Sequence, residues 1–187
     1  MNEQQSLQLI HQMIANARGQ IKDDGYFYLL WGWLIVSASL IHYGLLDLDQ
    51  PLFIGGIWII ALTIGVIASY IVGKRRAKQT QVRPYTLDLV LYLWIGLGSC
   101  FFLILGMAFT ATLTFEVAYP LFMMLYGLGA FISGGVLRFS PLIFGAIGAW
   151  LLTIIAFFVP FDIQLLLLAS SIVSAYLVPG YLLRRRS

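Results

Sequence analysis

At 187 residues, with 60% hydrophobic and only 10% charged side chains, the chain is far more apolar than a water-soluble domain, where roughly 45 to 50% is usual, and reads as an integral membrane protein. A net charge of +3 would admit a nucleic-acid partner, but the cations gather at the ends of apolar runs, where insertion rules and anionic headgroups account for them, so nucleic acid is excluded. The single Cys100 excludes a disulfide framework and a cysteine-built metal site within one chain.

Residues 1–24 are polar overall, yet Leu7, Ile10, Ile14, Ala17 and Ile21 recur at steps of three and four, which predicts an amphipathic helix. On the cytoplasmic side, its apolar face is expected in the membrane interface or beneath the bundle, the alternative being a cytosolic or membrane protein partner or a second copy. Apolar runs of about 20 residues then follow, the length that a ~30 Å bilayer core requires. Six are expected, over 25–46, 52–73, 87–109, 117–137, 141–159 and 163–183. The first has no small-residue cleavage site after it and is expected to stay in the membrane. Short connections make the runs three antiparallel hairpins. Pro51, Pro84, Pro120, Pro141 and Pro160 fall at or near span ends, and Pro179 in the last turn of the sixth run predicts a kink or an early end.

The segment KRRAKQTQVRP, Lys74 to Pro84, reads as a cytoplasmic loop carrying five of the eleven Lys and Arg. With it inside, Arg18, Lys22, Arg138 and Arg184 to Arg186 are inside too. The outer loops then receive only Asp47, Asp49, Glu116 and Asp162, so the balance is +7 inside against −4 outside. The expectation is a protein of the plasma (inner) membrane with both termini cytoplasmic. The shared orientation of the hairpins and the echo of Pro51-Leu52-Phe53 in Pro120-Leu121-Phe122 also raise a threefold internal repeat.

Chemistry is sparse. No Asp, Glu, Lys or Arg falls in mid-span, and no metalloprotease, redox or phosphate-loop motif occurs, so a non-catalytic role without a cofactor is expected. The outer end offers a weak cation or pH-responsive site from His42 with Asp47, Asp49, Glu116 or Asp162; solvated acids and a helix-capping histidine are the plainer reading. Trp31, Trp33 and Trp94 belong to an aromatic belt at headgroup depth, or would contact a flat amphiphile such as a lipid headgroup or quinone. Gly127, Gly129, Ala130, Ser133, Gly134 and Gly135 in span 4, with Gly145, Gly148 and Ala149 in span 5, let helices approach closely. That approach is within one chain, across a homo-oligomer, or along a pore.

At DDGYFYLLWGWL, SGGVLRFSPLIFGAIG and YLVPGYLL the chain resembles small multi-pass proteins of bacterial inner membranes. In its three-hairpin plan it is similar to HdeD-type acid-resistance membrane proteins. That likeness implies architecture and no biochemical role. The functions left open are an accessory, scaffolding or regulatory subunit, a small transporter or channel, and a lipid- or quinone-binding protein.

Overall fold

The computed structural model describes residues 25–46, 51–79 and 85–186. The predicted amphipathic helix over 1–24, and with it Leu7, Ile10, Ile14, Ala17 and Ile21, lies outside the described residues. So do Asp47 and Asp49.

The elements are α1 (Tyr26–Gly44), α2 (Pro51–Gln79), α3 (Tyr85–Phe109), α4 (Phe115–Val136), α5 (Ser140–Ala156) and α6 (Phe161–Ile172). A π-helical turn, Val173–Leu177, carries α6 on into α7 (Val178–Arg186). No strand occurs among the described residues. Five stretches are long and apolar enough to cross a membrane: Tyr26–Gly44, Phe53–Arg76, Asp88–Phe109, Phe115–Val136 and Phe161–Arg186. The 17 residues of α5 are equally apolar but reach only ~26 Å at 1.5 Å each.

Two boundaries differ from expectation for identifiable reasons. α2 continues past Gly73 to Gln79, so half of the basic segment is helix rather than loop. Lys, Arg, Ala and Gln are good helix formers, and the next proline is Pro84. α5 ends early, at Ala156, because Pro160 has no N–H to offer the Ala156 carbonyl four residues back.

Helices α1, α4, α5 and the α6–α7 rod form the core. The cluster of buried apolar side chains is drawn from them and from the turn residue Phe139, with Ile35, Met123, Leu142, Ala146, Leu165, Ile172 and Tyr176 among its members. α2 and α3 contribute no fully buried member; their half-buried Trp58 and Trp94 pack against it. Only 6% of each peripheral span is buried, against 44 to 56% for the spans of α1, α4 and α6–α7. α2 leans on α1, and α3 on α4, so the three helix pairs are not packed alike.

The glycines explain the close contacts of the core. Gly129 lies under Trp94 and Leu97, Gly127 under Trp150, and Gly134 against Leu142 and Ile143. At Gly145 a Cβ would run into the Ser174 carbonyl oxygen in the π-turn, and Ser174 Oγ donates to the Gly145 carbonyl at 2.8 Å. These small residues of α4 and α5 are therefore used inside one chain, while Gly135 meets nothing within 4 Å. The π-turn sits just before Pro179, whose missing N–H would have met the Ala175 carbonyl; a widened turn is one way for a helix to absorb such a loss. At the α4 to α5 turn Arg138 takes φ 50°. Its N–H reaches Gly135 and that of Phe139 reaches Gly134, closing the helix end in the pattern that usually recruits glycine.

One side chain joins three helix ends. Pro120, inside α4, leaves the Glu116 carbonyl without its helical donor, and Pro160 does the same to Ala156. Gln164, buried in the first turn of α6, donates Nε2–H to both, each at 3.0 Å, and stands 3.3 Å from the Val159 carbonyl. In lipid an unpaired carbonyl has no water to turn to. Gln164→Leu is expected to destabilise the protein by about 2 kcal/mol in detergent unfolding, and Gln164→Glu, without the amide hydrogens, to do no better than Leu. Thermal or denaturant melts of the two variants beside the wild type check this.

Candidate functional site

His42, in the last turn of α1, is buried among rings, and among the described residues no acidic group contacts it. Trp58 Nε1–H of α2 donates to its Nδ1 at 3.2 Å, so Nδ1 carries no hydrogen and the ring proton sits on Nε2. Tyr119 Oη of α4, also at 3.2 Å, must then be a donor as well. Trp58, Tyr119 and Phe161 meet the imidazole edge to face, with centroids 5.6 to 6.3 Å away. The arrangement is a neutral imidazole accepting two hydrogen bonds at the junction of α1, α2, α4 and α6. As placed, its one lone pair is taken.

The acids grouped with His42 from the sequence are not gathered around it. Glu116 and Asp162 are exposed, each in the first turn of its helix, and the contact at Glu116 is through its backbone carbonyl. Among the described residues no three His, Cys, Asp or Glu side chains come close enough to hold a metal.

The three tryptophans named from the sequence serve three separate places. Trp31 lies over Gly65 and donates to Ser69 Oγ at 3.1 Å, which fastens the C-terminal half of α2 to α1. Trp94 covers Gly129 and meets Tyr176 edge to face. Trp33 alone is exposed; it donates to Tyr181 Oη at 3.0 Å beside a groove that ends at Arg184.

The core itself offers no hydrated path among the described residues. Ser39 donates to the Leu165 carbonyl, Ser171 to Leu168 and Thr153 to Ala149. Ser133 Oγ and Gln164 Oε1 are buried without a partner, the two exceptions. Instead of polar groups, a chain of touching rings runs from His42 through Tyr119, Phe122, Phe101, Tyr126 and Tyr176 to Tyr28, with successive centroids 4.6 to 6.2 Å apart.

Several residues here were not singled out from the sequence. Gln164 is the lone amide side chain of its apolar run, and the prolines four residues after Glu116 and Ala156 announce two orphaned carbonyls; together these were a readable signal. Trp58 and Tyr119 carried none, since aromatic residues at span ends serve equally well as a belt.

Compared with protein families, with curated proteins and with solved structures, the chain matches none. Fold and sites together define a helical membrane protein with a ring-lined, self-packed interior.

The Trp58–His42 and Trp31–Ser69 hydrogen bonds tie α2 to the core. A double-mutant cycle with Trp58→Phe and His42→Ala is expected to give a coupling of about 1 kcal/mol. Additive melts would show that the bond contributes nothing.

Proposed function

We propose that the protein is a non-catalytic, six-span subunit of the plasma (inner) membrane, with both termini cytoplasmic, that acts as an accessory, scaffolding or regulatory component for a second membrane protein. The observation that carries this reading is the pair of span-length helices left outside the core. α2 leans chiefly on α1 and α3 on α4, with Trp58 and Trp94 reaching further into the core, and the two helices present Phe53, Ile60, Val66, Tyr92, Phe102 and Leu103 outward. Two peripheral helices held by few contacts supply surface for a partner while the remaining helices keep the fold.

A transporter or channel formed by one chain has less support, because the buried hydroxyls largely bond to helix carbonyls and the small residues of α4 and α5 lie under rings and aliphatic side chains. An enzyme would need a polar cluster, and the one buried histidine among the described residues is committed to Trp58 and Tyr119.

Six crossings, α5 included, are supported by charge. Only with α5 as a span do Arg138 and Arg184 to Arg186 share the side of Lys74 to Arg76. In a Cys100→Ser background, a cysteine placed at Phe158 is expected to react with a membrane-impermeant maleimide on intact cells, and one placed at Arg138 only after lysis. The opposite pattern overturns the orientation, and equal labelling of both positions overturns the crossing.

The subunit role is tested by site-specific photo-crosslinkers in native membranes. Ile60 and Phe102 are expected to yield a protein adduct of defined mass, and Phe144, equally exposed on α5, to yield none. Lipid adducts alone at all three positions would reject the role.

A further inference from the structure

A groove of about 330 Å³ follows the crossing of α1 and α7. On α1 its wall is Tyr26, Leu30, Trp33 and Leu34, one helical face whose eight-residue separation corresponds to ~12 Å of depth. On α7 its wall is Tyr181 and Arg184. The close approach at the foot of the groove comes from Gly180, which packs on Tyr28 and Leu29 without a Cβ. Higher up, the exposed indole of Trp33 is tied to the Tyr181 hydroxyl, so the two walls are held at a set spacing.

The two ends of the groove differ in chemistry. At the α7 end Arg184 is exposed, and its guanidinium has no ion pair or hydrogen bond among the described residues. Arg185 and Arg186 follow it, and the guanidinium of Arg76 from α2 lies 5.7 Å from the centroid of the Tyr26 ring, adding positive charge on the far side. Deeper in, the surface is aliphatic and aromatic. A cation above an apolar strip about 12 Å long is complementary to an amphiphile with an anionic head. A partner helix would bury the apolar strip and leave the guanidinium unanswered, and a free phosphate would leave the strip bare.

We propose that this groove is a binding site for one anionic phospholipid, taken from the leaflet on the side of the C-terminal arginines. The phosphate accepts from the planar fork of Arg184, and the first half of one acyl chain lies along Leu30, Trp33 and Leu34. Tyr181 stands between the two, its ring against the chain and its hydroxyl beside the ester region, the usual post of an interfacial tyrosine. This site is independent of the subunit role, since it uses neither α3 nor the exposed face of α2.

The test uses the purified full chain in mild detergent with added phosphatidylglycerol or phosphatidylcholine. Native mass spectrometry is expected to show one retained phosphatidylglycerol per chain, preferred roughly tenfold over phosphatidylcholine, whose phosphate is the same but whose choline cation is repelled by Arg184. Arg184→Gln is expected to abolish the preference. The double variant Arg185→Gln with Arg186→Gln, which removes more charge but leaves the groove intact, is expected to keep it. Phosphatidylglycerol brominated on its acyl chains should quench a component of tryptophan emission that is missing in Trp33→Phe and lost in Arg184→Gln. Equal retention of both lipids, an equal loss in the Arg185/Arg186 variant, or quenching unchanged by Trp33→Phe would each overturn the proposal.

Discussion

The side-chain amide of Gln164 answers a constraint that lipid imposes on every helix of this protein. A carbonyl that loses its helical donor in water is hydrated; in a bilayer it must find another protein donor. Pro120 and Pro160 each remove one such donor, and they do so at helix ends that meet around the start of α6. One amide group serves both carbonyls and thereby sets where α4, α5 and α6 stand relative to one another. The packing of the small residues below that point depends on this registration. Gly145 fits against the π-turn and Gly134 against Leu142 because the helices enter at those positions.

Lipid also explains why the molecule divides into a core and two outriders. Apolar side chains gain little by leaving an apolar solvent, so the helices that associate are those whose shapes interlock. α4 and α5 interlock through glycines and a covering indole, and α1 fits the π-turn through Gly32 and α7 through Gly180. α2 and α3 carry open glycines at Gly55, Gly56, Gly96, Gly98 and Gly106, with nothing against them among the described residues. Rings help to attach both helices, two indole hydrogen bonds and the Arg76 guanidinium over Tyr26 and Phe27 add to the hold on α2, and the outer faces remain available to lipid or to a neighbour.

The aromatic residues do more structural work than their positions near span ends announced. Rings form the spine from His42 to Tyr28, and indoles cover the glycines. Trp33 is the exception, exposed and paired with Tyr181 over a groove that one arginine closes. The same residue type thus fills the core where a glycine faces it and lines an open groove where a cation does.

Composition and periodicity were enough to establish helices, their approximate ends and, for five of the six apolar runs, a membrane-spanning length, because each of these is local: an apolar run, a proline, a cluster of charges. The departures are local too, as where good helix formers carry α2 through the basic segment to Gln79. Which helices form the core was not legible, since in a bilayer a lipid-facing leucine and a buried one satisfy the same hydropathy. Nor was the fate of His42, Trp31, Trp33 and Trp94, whose partners lie 16 to 148 residues away in the chain. Only the tertiary structure decided those pairings. Shape complementarity and directional hydrogen bonds select among helix faces that, to lipid and to hydropathy, are alike.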